Sequence, residues 1–130
     1  MKYAYEAESL LKKLISIKSF SFYEDKTANY IEKWLREINI DTYRYANNVY
    51  AINKYYDKNK PNIMLNSHHD TVEPNLGYTI DPFKPIVKDG KLYGLGSNDA
   101  GISLCCLIMV FVHFYEKDDR EQVDLNLLCA

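Results

Sequence analysis

Apolar positions in the first forty residues recur at helical spacing. Tyr3, Ala7, Leu10, Leu14 and Ile17 fall three or four apart, and Leu11 widens the face, which predicts a first helix. Ser21 followed by Glu24 matches a capping box and predicts a second helix from near residue 22. Its apolar face would be Tyr30, Ile31, Trp34, Leu35 and Ile38, with an end near Asn39. The period then drops to two. Residues 41–45, "DTYRY", and 48–55, "NVYAINKY", read as strands joined by the turn "ANN". After the polar loop "DKNKPN", the short apolar run "IMLN" reads as a buried strand that ends in "SHHD".

From Glu73 to Pro85 no period holds, and Pro74, Gly77, Pro82 and Pro85 break regular structure. A long ordered loop of this kind inside a compact domain is often functional. "PIVKDGKLYG" predicts a hairpin with Asp89-Gly90 as its turn. "NDAGISLCCLIMVFVHFYE" predicts a helix, apolar nearly all round and so deeply buried, with Asp99 at its start. "VDLNLLCA" alternates as a further strand. Helices first, then strands, a buried helix and a strand make an α/β pattern, with no repeat, low-complexity tract or linker. The last strand reaches Ala130 without a turn or polar tail, so the expectation is the front part of a longer protein.

Composition narrows the function classes. The 130 residues suffice for one domain with a modest core. Sixteen basic and 18 acidic residues give a net charge of −2 and are scattered, so no nucleic-acid footprint is present. The run "ISLCCLIMVFVHFY" is shorter than a membrane span, and the amphipathic N-terminus lacks a secretory apolar core. The three cysteines, Cys105, Cys106 and Cys129, are odd in number and two are adjacent, which fits a reduced core rather than a disulfide framework. A cytoplasmic protein without membrane or nucleic-acid partners is expected. Twelve tyrosines, spread along the chain, read as half-buried packing.

Candidate chemistry sits in two places. In "MLNSHHDTVE", strand alternation lets His68 and Asp70 point the same way while His69 points elsewhere. Asp70 could ligate a metal directly or hold the His68 imidazole through its other ring nitrogen. Taken alone, such a pair is more often a polar strand end than a site. In "LYGLGSNDAG" the third glycine of a dinucleotide fingerprint would fall at Asp99, and the Gly-Lys-Ser/Thr of a phosphate loop is missing. The segment instead delivers Asp99 to a helix start, where an N-cap role competes with a metal role. Together the two motifs bring an imidazole and two carboxylates from positions about thirty residues apart, a donor set suited to zinc. His113, inside the apolar helix, reads as a packed core histidine. Asp118, Asp119, Arg120 and Glu121 read as a solvated turn.

"SHHDTV" at 67–72, "DPF" at 81–83 and "YGLGSNDAGI" at 93–102 resemble, in order, the motifs of the dinuclear-zinc aminoacylase, deacetylase and peptidase family. That family includes acetylornithine deacetylase, succinyl-diaminopimelate desuccinylase and carboxypeptidase G. The resemblance runs from the first helix onward, with "SIKSFSFYED" similar to an early turn on the substrate side. Leu95 stands where the family has Arg, Gly101 where it has Lys, and Ile102 where it has Gly. The variant "GLGSNDAG" looks most similar to acetylornithine deacetylase-like members.

The resemblance implies the N-terminal portion of a zinc-peptidase catalytic domain, with a central mixed sheet flanked by helices. Residues 1–130 would be an incomplete catalytic domain, without the dimerisation domain and the C-terminal catalytic part. It implies that His68 binds one zinc, Asp70 orients His68, Asp99 bridges two zincs, and His69 has no role beyond structure or solvent contact. It implies a cis peptide bond after Asp99, two zinc ions per complete site (cobalt serving as a substitute), and a homodimeric full-length protein. The family's general base is the first Glu of a pair that would follow "VDLNLLCA", so it is absent from these residues, and the chain alone is expected to be inactive. The implied reaction removes the acyl group from a small N-acyl amino acid, as acetylornithine deacetylase does in arginine biosynthesis. A metallo-dipeptidase or carboxypeptidase of the same family, and a truncated non-catalytic remnant, are the alternatives.

Overall fold

A computed structural model describes residues 2–115 and 124–130. Helix α1 spans Lys2–Ile15 and buries Ala7, Leu10, Leu11, Leu14 and Ile15, the face that the spacing predicts. Helix α2 spans Asp25–Glu37 and buries Thr27, Ala28, Ile31 and Leu35. Tyr30 and Trp34 pack against the core's edge, whereas Ile38, past the helix end, is exposed. Asn39 adopts φ +60°, which ends the helix where the sequence places the stop.

The predicted capping box does not form. Helix α2 starts at Asp25, and its N-cap position, Glu24, makes no side-chain cap bond. Glu24 Oε1 instead accepts the Phe22 N–H at 2.5 Å, and Oε2 accepts the Asn47 amide at 2.8 Å. Glu24 is thus drawn to the adjacent Phe22 N–H and to Asn47 across the fold in place of the local cap.

Strands β1 (Tyr43–Tyr45) and β2 (Asn48–Ala51) form the expected hairpin, turning at Ala46 and Asn47. Strand β3 is Asn62–Ser67, and β4 (Ile86–Lys88) and β5 (Lys91–Tyr93) make the second hairpin. Positive φ at both Asp89 and Gly90 matches the turn that suits strand twist. Strand β6, Asp124–Cys129, lies between β2 and β3, antiparallel to the first and parallel to the second. The main sheet is therefore mixed, in the order β1-β2-β6-β3, and β4-β5 stands apart as a two-stranded sheet.

Helix α3, Ile102–Tyr115, packs on β3 and β6, α1 packs on α3, and α2 packs on β2. Leu10, Ile31, Leu35, Val49, Leu104, Ile108, Phe111 and Leu127 are fully enclosed. Each such side chain contributes about 1.5–3 kcal/mol by leaving water. Two expectations change here. Strand β3 is not buried: it lies at the sheet's edge with Met64 54% exposed, because an apolar run does not reveal which of its sides is covered. Helix α3 is not buried all round either. Ile102, Cys106 and Val110 form an exposed stripe opposite Cys105, Ile108 and Val112.

Residues Ser97–Tyr115 are together long and apolar enough to cross a membrane by length and composition. The backbone breaks from helical geometry at Asp99 and Ala100, however. The regular helix has 14 residues, about 21 Å at ~1.5 Å per residue, against a hydrocarbon layer of ~30 Å. Its buried face is spent on α1 and the sheet. His113 is half-buried, edge-on to Tyr3 at 5.4 Å. The charged run 118–121 lies outside the described residues.

Candidate metal centre

Strand β3 carries its chain straight into the site. Beyond Ser67, the β6 pairing continues: Ala130 N–H donates to the Ser67 carbonyl at 2.9 Å, and His69 N–H donates to the Ala130 carbonyl at 2.7 Å. On the other side, residues 19–21 run parallel to the strand's extension. Thr71 N–H donates to the Ser19 carbonyl at 2.7 Å, and Ser21 N–H to the Thr71 carbonyl at 3.2 Å. The segment 68–71 is thereby fixed from both edges, and the side chains of His68, His69 and Asp70 separate as alternation predicts.

His68 and Asp70 face one cleft. Asp70 Oδ1 lies 2.9 Å from His68 Nδ1, and His68 Nε2 lies 3.3 Å from Asp99 Oδ1. With Nδ1–H donating to Asp70, the Nε2 lone pair is aimed at the Asp99 carboxylate. Two electron-pair donors facing each other at this separation repel unless a proton or a cation lies between them. Two ligands of one tetrahedral zinc, each bound at about 2.0–2.1 Å, stand roughly 3.3 Å apart, so the donor set fits a single ion. The Asp70 carboxylate in turn fixes the ring tautomer, as partners of ligating histidines do. Burial alone would raise the Asp70 carboxyl. Hydrogen bonding from Ser21 and the charge and hydrogen bond of His68 outweigh it and hold the group below its ordinary value.

Asp99 comes from the glycine-rich turn, and its side chain is 90% exposed toward the cleft. The turn is closed by Gly101 N–H donating to the Gly96 carbonyl at 2.9 Å, and by Leu95 N–H donating to the Pro82 carbonyl at 2.7 Å. The "DPF" segment is thus a buttress for the turn. Asp81 Oδ1 accepts the Phe83 N–H at 2.9 Å, and the Phe83 ring sits edge-on to Phe20. Gly96 has φ +72°, where a side chain is disfavoured. A Cβ at Gly101 would lie 2.5 Å from the Gly96 carbonyl oxygen and 2.6 Å from Leu11 Cδ1. That contact leaves no room for a side chain at this position: in this turn the space is filled by α1. The peptide bond Asp99–Ala100 is cis, as the resemblance implies.

His69 is turned away from the cleft and is 6% exposed. Its Nε2 lies 3.0 Å from the Asn47 carbonyl and its Nδ1 2.9 Å from Thr27 Oγ1. In the neutral ring, Nε2–H donates to Asn47 and the Thr27 hydroxyl donates to Nδ1. Burial lowers its pKa, against the opposing pull of the Asn47 carbonyl and the carboxylates of Glu24 and Asp70. Of the two readings that the sequence leaves for this residue, structural or solvent-facing, the structural one is observed.

His68, Asp70, Thr71, Tyr78, Gly96 and Asp99 line a cleft of about 300 Å³. Among the described residues no group of three or more His, Cys, Asp or Glu side chains is arranged to hold a metal ion. His68 and Asp99 face each other across the cleft, with Asp70 behind the His68 ring. Sequence reasoning missed Ser21, whose hydroxyl donates to Asp70 Oδ2. Forty-nine residues separate the two, and neither the capping pattern nor the resemblance of "SIKSFSFYED" to a substrate-side turn points to that bond.

The family model described as peptidase family M20/M25/M40 matches residues 64–130, which contain all three ordered motifs. The succinyl-diaminopimelate desuccinylase of Rickettsia bellii is 30% identical over 118 residues, covering 83% of this chain and 29% of that protein. The enzyme of the same name from Anaplasma marginale is 41% identical over 61 residues, 47% of this chain and 15% of the relative. An M20 family metallo-carboxypeptidase from Sulfolobus solfataricus superposes with a TM-score of 0.72 at 19% identity, over 95% of this chain and 30% of that one. The chain thus spans less than a third of the length of these relatives. The shared fold and the matched site segments make it a member of peptidase family M20/M25/M40.

Proposed function

We propose that this chain supplies part of the metal centre of an amide-cleaving hydrolase that acts on a small N-acyl amino acid. The observation that carries the reading is the aligned trio: Asp70 on His68 Nδ1 at 2.9 Å, and His68 Nε2 facing Asp99 at 3.3 Å. Members of the family are metal-dependent hydrolases of amide bonds. A divalent ion held there would polarise the amide carbonyl and make water a nucleophile at neutral pH. Zinc suits the imidazole and carboxylate donors, and cobalt accepts the same set.

His68 contributes a neutral nitrogen in a fixed orientation. Asp70 keeps the proton on the opposite nitrogen. Asp99, with both oxygens open to the cleft, is free to bridge a second ion. The backbone bonds at Ser19, Thr71 and Ala130 hold these groups without needing the ion. The described residues offer no carboxylate placed as general base, so the working hydrolase would draw that base and the remaining ligands from elsewhere. On this reading the 130 residues alone do not turn over substrate.

The named relatives favour a succinylated diamino acid over acetylornithine, since the curated relatives given above are both desuccinylases. The metallo-carboxypeptidase sharing the fold does so at lower identity, and it supports the fold alone. The test is release of free amine from N-succinyl-diaminopimelate, N-acetylornithine and a dipeptide, with zinc or cobalt supplied. The 130-residue chain should be inactive on all three. A longer protein carrying these residues should cleave the succinyl substrate fastest. Turnover by the 130 residues at ordinary enzyme rates, or preference for the dipeptide, would overturn the reading.

A further inference from the structure

We propose that Ser21 is a positioning residue for the metal centre, acting through Asp70 on His68. The Asp70 carboxylate has two oxygens and each has one assigned partner. Oδ1 holds His68 Nδ1 at 2.9 Å, and Oδ2 accepts the Ser21 hydroxyl. With only the first bond, the carboxylate could rotate about its terminal torsion, which is broad for Asp. The Ser21 bond closes that freedom from the far side, so the ring plane of His68 is set by a chain of two hydrogen bonds.

The local backbone is built to hold this hydroxyl in place. Ser21 N–H donates to the Thr71 carbonyl at 3.2 Å, and Tyr23 N–H donates to the Phe20 carbonyl at 2.7 Å, which closes a tight turn. Phe22 inside that turn has φ +74°, a region unfavourable for a bulky side chain. Its ring is 90% exposed, so burial of the ring does not offset that conformation. What holds the turn is Glu24, whose carboxylate takes the Phe22 N–H at 2.5 Å and the Asn47 amide at 2.8 Å. A strained residue beside a hydroxyl aimed at the site, clamped by a carboxylate that would otherwise cap a helix, points to the hydroxyl's placement as the use of the turn.

The inference rests on the metal-centre reading, and its test separates the two. Wild type, Ser21→Ala and Ser21→Thr forms of the 130-residue chain are compared in two measurements. The first, without metal, records the His68 ring nitrogen resonances by long-range proton–nitrogen correlation. Ser21→Ala should shift and broaden them while the His69 signals stay in place, and Ser21→Thr should restore them. The second titrates zinc. Direct partners of ligating histidines are worth roughly 10–100-fold in metal affinity. Ser21, one bond further out, should cost about three- to tenfold on conversion to Ala, and Ser21→Thr should recover to within about twofold.

Unmoved His68 resonances in Ser21→Ala, or a threonine variant no better than alanine, overturns the proposal. Zinc bound by the wild type without moving His68 Nε2, with the metal-free His68 response intact, refutes the metal-centre reading and leaves the Ser21–Asp70–His68 coupling standing. If Ser21→Ala does not fold, Ser21→Cys decides: a weakly donating thiol must shift His68 from its wild-type signals while His69 stays in place, and wild-type His68 signals in that variant overturn the proposal.

Discussion

Replacing His69 by alanine removes a buried ring that joins three elements. The imidazole ties the end of β3 to the β1–β2 turn through the Asn47 carbonyl and to the first turn of α2 through Thr27. Two hydrogen bonds at about 0.5–1.5 kcal/mol each make up the polar part of the loss. The Thr27 hydroxyl has a second acceptor, the Glu24 carbonyl at 3.0 Å, so it is not orphaned. The Asn47 carbonyl is, and the space left by the ring adds a packing cost. The sum is about 2–4 kcal/mol of destabilisation at pH 7.5. Urea unfolding followed by circular dichroism measures it.

The same substitution has a signed pH dependence. The folded chain lowers the His69 pKa chiefly through burial, so the fold prefers the neutral ring. That contribution is fully present above the unfolded value near ~6.5. As pH falls below it, the unfolded chain takes up a proton that the fold refuses, and stability is lost until the folded pKa is passed. The gap between wild type and His69→Ala should therefore narrow between pH 7.5 and pH 5. A gap under about 1 kcal/mol at pH 7.5, or one that widens in acid, would show that the ring is not a buried neutral clamp.

Gly101→Ala should destabilise the chain by about 1–3 kcal/mol through overpacking against Gly96 and Leu11, read as a lower thermal midpoint. An unchanged midpoint would mean that the turn is looser than its contacts indicate. Of the three thiols, only the exposed Cys106 should react with a disulfide reagent at pH 8 in the native chain. Burial pushes Cys105 and Cys129 up to about 12, so both should become reactive only on unfolding. Phe111→Ala, at a fully enclosed position, should cost about 3–5 kcal/mol in urea unfolding, and a loss below ~1 kcal/mol would argue against the packing of α3 on the sheet.

Several features were readable because their cause is local. Asp89-Gly90 fixes a hairpin through its own backbone preferences, and alternation alone separates His68 and Asp70 from His69. The faces of α1 and α2 follow from spacing, since a helix's own geometry lines up Leu10 and Leu14 or Ile31 and Leu35. The failures are all of another kind. Ser21 and Glu24 carry a sound capping signature, yet Asp70 and Asn47 compete for the same side chains from elsewhere in the fold, and the Phe22 N–H from within the turn. The apolar residues of β3 and α3 indicate that something covers them without saying which side is covered. Gly101 could be seen as a departure from the family pattern, but its reason, the approach of Leu11 and the Gly96 carbonyl, exists only in three dimensions. The two-motif site was legible because each half is a short segment with its own signature. The Ser21 link was not, because it depends on a pairing between residues 19–21 and 69–71 that no local pattern announces.

The central claim is that His68 Nε2 and Asp99 hold one metal ion while His69 takes no part. Zinc titration of the 130-residue chain, followed at the ring nitrogens of all three histidines, tests it most directly. His68 Nε2 should move on binding, His69 and His113 should not, and His68→Gln or Asp99→Asn should each weaken binding by at least about tenfold. Zinc that shifts His69 and leaves His68 unchanged, or that binds equally well to both variants, would contradict the account.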